Sequence, residues 1–231
     1  MCIRDSDWPV YQNYVDAIRY GQVDRYLANS FIYAVLITAA QLFFNVLAAY
    51  AFARMHFAGR DLLFTLLLST MMVPPAVLLV PNFMVVRDLG LVDTLWGILL
   101  PGFAGAFGVF LLRQAFLNIP AELEQAARID GCGSWGILLN VILPLSKPAL
   151  ITLGLFTFMG SWNMFEWPLV VLSNQDYYPL TVGLSFFRAE TSSDWPRIFA
   201  ASAMGAAPLI ALFLLAQRYL VGGISLSGMK T

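Results

Sequence analysis

Four stretches of this chain contain no charged residue at all: 29–53, 62–86, 94–112 and 198–217. A fifth, 148–172, is uncharged except for Glu166. About 20 apolar residues in a helix cross about 30 Å of hydrocarbon, so each run is read as a membrane span. Helices are the consistent choice. No strict alternation marks a barrel strand, and in lipid every backbone polar group must be bonded within its own segment or in a closed barrel. Composition agrees: 59% of residues are apolar and 12% charged, the latter about half the usual share for a soluble domain. The expected fold class is all-α, a polytopic membrane helical bundle of about five spans. A formal net charge of -1 gives no basic surface for nucleic acid.

Glycine and proline interrupt the runs: Pro74, Pro75 and Pro81 in the second, Pro101, Gly102, Gly105 and Gly108 in the third, Gly205 and Pro208 in the last. Membrane helices tolerate them where neighbouring helices or a water-filled cavity satisfy the freed backbone. Close packing of small residues and bends lining a pathway both fit. The second run is expected to break near Pro81, laying residues 82–91 along the interface. Gln41 and Asn45, spaced i, i+4, form a polar face suited to hydrogen bonds between helices.

Between the third and fourth spans lies a polar island, 118–146. Pro120 suits a first helical turn. Glu122 and Glu124 place negative charge near the positive helix end. Glu124 and Arg128, spaced i, i+4, can pair on the surface, and Ala126 and Ala127 leave a smooth face. Gly131 or Gly133 ends the helix by allowing positive φ. Ser134 can cap a second helix, Trp135 to about Leu143, stopped at Pro144. The local physics is helix, hinge, helix: either a plain interfacial hairpin or a docking surface.

If the island is cytoplasmic, its side holds Arg54, Arg60, Arg113, Arg128, Lys147, Arg218 and Lys230, against Arg19, Arg25, Arg87, Arg188 and Arg197 opposite. That has the sign of the positive-inside rule. The N-terminal segment 7–28 and the loops 87–93 and 173–197 are then external, and the tail 222–231 cytoplasmic. Loop 173–197, with Tyr177, Tyr178, Asp194 and Trp195, is polar and aromatic and reads as a solvated loop. Residues 1–6 resemble translated adaptor sequence and are set aside, and the true N-terminus is expected to be missing.

Trp162, Asn163 and Glu166 lie at membrane depth or toward the outer end of the fourth span. Asn163 and Glu166, three apart, are expected to share a helix face. An acid at that depth is a functional candidate, and Trp, Asn and Glu suit the hydroxyls and C–H faces of sugars. The alternative is that Glu166 reaches the interface while Trp162 or Trp167 anchors there. His56 reads as solvated or interfacial. Cys2 and Cys132 form no framework, and no residues have metal-ligand spacing. A P-loop needs Gly-Lys-Ser/Thr. The only lysines, Lys147 and Lys230, follow Ser146 and Met229, so the chain is not expected to hydrolyse ATP.

The string Glu124-Gln-Ala-Ala-Arg-Ile-Asp-Gly131, with Val141 and Leu143-Pro144-Leu145-Ser146-Lys147-Pro148, resembles the EAA loop of ATP-binding-cassette importer permeases. It is similar to the carbohydrate-uptake branch, the MalG-like, binding-protein-dependent inner-membrane components. Tyr50-Ala-Phe-Ala-Arg54, Met71-Met-Val-Pro-Pro75, Phe110-Leu-Leu-Arg-Gln114, Trp162-Asn163 with Trp167-Pro168-Leu169, and Gln217-Arg-Tyr-Leu-Val221 resemble the same branch. Gln125 stands where the pattern has glutamate, Val141 where it has isoleucine, and Glu166 where an apolar residue is usual. The resemblance covers residues 8–231. It implies a type I importer permease with one more span ahead of residue 7, in a bacterial inner membrane. The implied function is inward transport of a sugar or oligosaccharide. A polyol, glycerol-phosphate or other solute is the alternative, and an ion-coupled carrier or a scaffold lies further off. The implied partners are cytoplasmic ATPase subunits, a second permease subunit, an extracytoplasmic substrate-binding protein and membrane lipid. The implied ATPase-coupling residues are Glu124, Gln125, Ala126, Ala127, Asp130 and Gly131, with Leu143 and Pro144 anchoring the second helix. No cofactor is implied.

Overall fold

The computed structural model describes residues 10–190 and 195–224, and all regular structure among them is helical. Residues 1–6, Asp194 and most of the tail 222–231 lie outside the described residues.

Helix α1 (Val10–Gly21) leads into α2 (Val23–Arg54), whose 32 residues extend about 48 Å at 1.5 Å per residue. Helices α3 (Arg60–Ser69), α4 (Pro75–Asp88), α5 (Leu95–Leu99) and α6 (Ala106–Leu117) follow. The island holds α7 (Ala121–Ile129), α8 (Ser134–Ile137) and α9 (Leu143–Leu145). Then come α10 (Lys147–Trp162), α11 (Glu166–Val171), α12 (Leu180–Glu190) and α13 (Trp195–Ile224). Helix α2 is the spine, packing against α6, α10 and α12, while α1 and α10 pack against α13. One core gathers around its N-terminal half, with Tyr26, Tyr33, Ile37, Trp162 and Val182. A second gathers around its C-terminal half, with Val46, Ala49, Leu112, Phe116, Ile137 and Ile142.

Two helices, α2 and α13, are each long and apolar enough to cross a membrane alone. Three more spans exist only as bent pairs, giving up to five. The second span breaks earlier than expected, at the Pro74-Pro75 pair, where the chain turns through 104°. Val73 and Pro74 each precede a proline, which disfavours the helical region for both, and both are extended. Pro81 removes a single helical donor and sits inside α4.

The third span bends by 43° between Gly102 and Ala106. Here α2 supplies the missing backbone partners. The Gln41 amide donates to the Gly102 carbonyl at 2.8 Å, and the Gly105 N–H donates to Asn45 Oδ1 at 3.3 Å. Thr157 of α10 donates to Gln41 Oε1 at 3.2 Å. The polar face of α2 is thus an interhelical hydrogen-bonding face, as read from the sequence, and it is what allows an irregular backbone at this depth.

The fourth span divides at residues 163–165 into α10 and α11, so Asn163 and Glu166 do not share a helix face. Within segment 7–28, residues 10–28 are α1 plus the first turns of α2. Segment 173–197 is not one loop, since α12 occupies its middle. Its first part is sewn to α2. The Asn29 amide donates to the Asp176 and Tyr178 carbonyls, the Tyr33 hydroxyl donates to the Tyr177 carbonyl, and the Leu180 N–H donates to Ser30 Oγ. Arg25 pairs with Asp176.

Asp93, at φ 58, closes this end. Its carboxylate accepts the backbone N–H groups of Ser173 and Asn174. Those bonds hold its pKa below the ordinary value of 3.8. A depressed carboxylate stabilises the fold above its unfolded pKa, and the contribution vanishes as pH falls through the lower folded value. We therefore expect acid unfolding below about pH 4 to steepen in the wild type relative to Asp93→Asn. Parallel acid curves would refute this.

Candidate coupling site

The site is α7 and what holds it. Pro120 occupies the N-cap position, so the helix begins at Ala121, and Glu122 and Glu124 lie in its first turn. Its far end closes on Gly131 at φ 86. The Gly131 N–H donates to the Arg128 carbonyl at 3.0 Å and the Cys132 N–H to the Ala127 carbonyl at 2.9 Å. This is a Schellman closure, which needs a left-handed residue at that position. Gly133, the other candidate for the hinge, has ordinary negative φ.

The second helix differs from its expected form. Ser134 makes no side-chain cap, and Pro144 does not stop the helix. The chain widens into a π turn over Leu138–Ile142, where the Leu143 N–H reaches the Leu138 carbonyl. A proline ring clashes with the carbonyl four residues earlier. Widening the preceding turn relieves the clash, so Pro144 passes within helix and the 79° turn comes at Ser146. Leu143 is half-buried and Pro144 exposed, just before that turn.

Glu124 is not a surface partner of Arg128. Its side chain is 10% exposed and lies 2.7 Å from Nε of Arg54, itself 13% exposed. The contact is coulombic, since the Nε–H is not aimed at Oε1. Arg54 also donates through Nη2 to the Phe116 and Ile119 carbonyls, each at 2.6 Å. One guanidinium thereby joins the end of α2, the C-terminus of α6 and the first turn of α7. A cation suits the carbonyl end of α6. Nearby, the Tyr50 hydroxyl donates to the Ser134 carbonyl at 3.2 Å. Arg113 donates to the Phe52 carbonyl and lies over the Phe64 ring, 4.1 Å from its centroid.

With Glu124 turned inward and Ala127 half-buried, the outer face of α7 presents Gln125, Ala126, Ile129, Asp130 and Gly131. Ile129 is 87% exposed, and Trp135 stands exposed beyond the hinge. Sequence reasoning passed over Ile129, Trp135 and Arg54. An apolar residue on the polar face of an amphipathic helix was the available signal for Ile129. Arg54 was visible as a charge at a span's end and as the last residue of the family-like string Tyr50-Ala-Phe-Ala-Arg54, with nothing local to show its partners.

The three pathway candidates part company. Trp162 is 3% exposed, stacks on Phe158 and donates its indole N–H to the Gly205 carbonyl at 3.2 Å. It ties α10 to α13 and is not among the residues lining the cavity beside Glu166. Asn163 is exposed and donates to the Met159 carbonyl, closing the end of α10. Glu166, the first residue of α11, borders a cavity of about 290 Å³ with Gln41, Asn82, Ser161 and Trp167. The Trp167 indole is fixed by the Gly97 carbonyl at 3.1 Å. Among the described residues no group of three or more His, Cys, Asp or Glu could hold a metal. Cys132 is a free thiol.

Bent apolar spans around a polar island of short helices make this a polytopic membrane helical bundle, and its relatives define its class. The chain belongs to the family described as binding-protein-dependent transport system inner membrane component, whose sequence model matches residues 41–223. It is the multi-pass permease component of an ATP-binding-cassette importer, and the ATPase is a separate subunit. It is 36% identical over 95% of its length to the probable ABC transporter permease protein YurM of Bacillus subtilis (strain 168), covering 73% of that protein. The arabinooligosaccharides transport system permease protein AraQ of Halalkalibacterium halodurans is 36% identical over 89% of this chain and 74% of its own length. The sn-glycerol-3-phosphate transport system permease protein UgpE of Brucella abortus (strain 2308) is 33% identical over 92% and 79%. The fold matches a chain of a bacterial ABC transporter involved in the import of the acidic polysaccharide alginate. That match has a TM-score of 0.80 and 30% identity, covering 90% of this chain and 79% of that one. Large apolar side chains exposed on α2 and α13, among them Phe43, Phe213 and Leu215, suit the inner membrane such a component occupies.

Proposed function

We propose that this permease carries a sugar or oligosaccharide inward, driven by a cytoplasmic ATPase that docks on the outer face of α7. The observation that carries the reading is that face: Gln125, Ala126, Ile129, Asp130 and Gly131 exposed on a short helix whose inner side is locked to α2. Rigid docking suits a two-state movement that must be transmitted without being absorbed. A second permease subunit and an extracytoplasmic binding protein complete the proposed assembly, the latter facing the 173–180 segment. The island faces the cytoplasm, and the cargo passes by Glu166.

The relatives are named for several cargoes, arabinooligosaccharides and sn-glycerol-3-phosphate among them. The cavity supports the first. Its Gln41, Asn82 and Glu166 side chains and the Trp167 ring suit hydroxyls and sugar faces, while a carboxylate opposes a phosphate.

The test is uptake into liposomes by the full chain assembled with its partner subunits. We expect ATP-dependent entry of labelled arabino-oligosaccharides in preference to labelled sn-glycerol 3-phosphate; the reverse preference would move the cargo to the second class. Gly131→Val forces a β-branched residue into φ 86, which costs at least 1–2 kcal/mol, roughly, and unwinds the end of α7. Uptake is expected to fall about tenfold, the factor carried by about 1.4 kcal/mol. Unchanged uptake and unchanged ATPase association would sink the docking assignment.

A further inference from the structure

The same helix that carries Arg54 also borders the cavity. From Arg54 to Gln41 is 13 residues of unbroken α2, about 20 Å at 1.5 Å per residue. Further along, Ser30 and Tyr33 of α2 bond the 177–180 strap. One rod therefore meets α7 at one end, the cavity at its middle and the strap toward the other end. The cavity's opposite wall is α4, through Pro75, Leu79 and Asn82. Anything that swings α2 relative to α4 opens or closes that space.

The polar connection between α7 and this rod is the Arg54–Glu124 ion pair and the two carbonyls that Arg54 also holds, supported by the Tyr50 bond to Ser134, while Ala127 of α7 packs against the apolar core that includes Tyr50 and Ala53 of α2. Both charges are largely withdrawn from solvent. A buried pair whose partner is removed leaves an uncompensated charge, so the two groups hold one geometry strictly. Such a pair is a poor contact for another protein, because its carboxylate already faces inward. It is a good joint, because the charge pair resists separation while the Nη2 bonds to the Phe116 and Ile119 carbonyls fix the orientation of the guanidinium. Only the outer residues of α7 remain free to take a push.

We propose that Arg54–Glu124 is the joint through which movement of α7 reaches α2 and the cavity. It is a positioning pair for transport, and Glu124 is not an ATPase contact. This rests on the docking reading above.

The experiment measures distances in the assembled complex, nucleotide-free and ATP-trapped, by paired nitroxides in a background with Cys2→Ser and Cys132→Ser. One pair, Glu122→Cys with Phe43→Cys, spans α7 to α2. The other, Phe43→Cys with Val80→Cys, spans α2 to α4. Phe43 and Val80 are exposed, as is Glu122. In the wild type the α7–α2 distance is expected to hold within about 2 Å between states, the scale of ordinary helix shifts, while the α2–α4 distance changes. In Glu124→Gln the α7–α2 distance should change with nucleotide and the α2–α4 change should disappear, with the ATPase still co-purifying. Arg54→Lys carries the same test if the Glu124→Gln chain itself does not fold and accumulate in the membrane, since a point charge lacks the planar fork that serves three oxygens at once. An α2–α4 change of wild-type size in either variant overturns the joint. Loss of the ATPase from Glu124→Gln overturns it too, by making Glu124 a docking contact. A wild type with no nucleotide-dependent change at either pair instead removes the docking reading beneath it.

Discussion

Arg54→Ala is expected to be the most damaging single substitution in the described structure. It leaves Glu124 buried without its partner and strips the Phe116 and Ile119 carbonyls of their donor. Removing one member of a buried ion pair costs about 3–5 kcal/mol. The loss should appear as a lower thermal unfolding midpoint of the purified chain. Arg54→Lys is expected to lie between wild type and alanine, because lysine keeps the charge without the fork. The double variant Arg54→Ala with Glu124→Ala should recover part of the loss, since it removes the stranded carboxylate as well. If the double variant is worse than Arg54→Ala by the full cost of Glu124→Ala, the two residues act independently and the pair is not a unit.

Gly108→Leu is expected to force α2 and α6 apart. A Cβ at residue 108 would lie 2.1 Å from Asn45 Nδ2 and 3.2 Å from a Leu153 methyl. Asn45 is fully buried and accepts the Gly105 N–H that the bend in the third span leaves free. It cannot withdraw without abandoning that donor. Overpacking of this kind costs about 1–3 kcal/mol, and the loss of the Asn45–Gly105 bond adds to it. Small residues let membrane helices approach this closely. Gly160→Leu, where a Cβ would meet nothing within 4 Å, serves as the control. Equal unfolding midpoints for the two variants would show that the α2–α6 contact tolerates expansion.

Much of the island could be read in the sequence because its signals are local. Gly131 was one of two hinge candidates because a helix C-terminus favours positive φ, and the structure selects it. Gln41 and Asn45 stood out as amides in an otherwise apolar helix, and that spacing alone predicted their bonding to neighbours. Places where two local signals compete were not legible. Pro81 and the Pro74-Pro75 pair both break a helix in principle, and only the restriction that each proline puts on the residue before it decides for the pair. Pro144 looked like a stop, yet a π turn ahead of it absorbs the clash. Trp162, chosen as a sugar-facing ring, instead spends its N–H on Gly205, 43 positions away, and nothing in its own neighbourhood announces that.

The sequence by itself determined the helical class, the membrane setting, the five apolar runs and the hinged island. Each follows from hydropathy, length and short-range backbone preference, which act within a few residues. The tertiary structure alone decided that Glu124 turns inward, that Arg54 binds three elements at once, and that Gln41 and Glu166 border one cavity while Trp162 does not. Those outcomes depend on which helices meet and how they are rotated, and a buried charge takes the partner that packing brings within reach. Arg128, four residues on, offered Glu124 an exposed pairing of small value. Arg54, 70 residues earlier, lay against it in the assembled bundle.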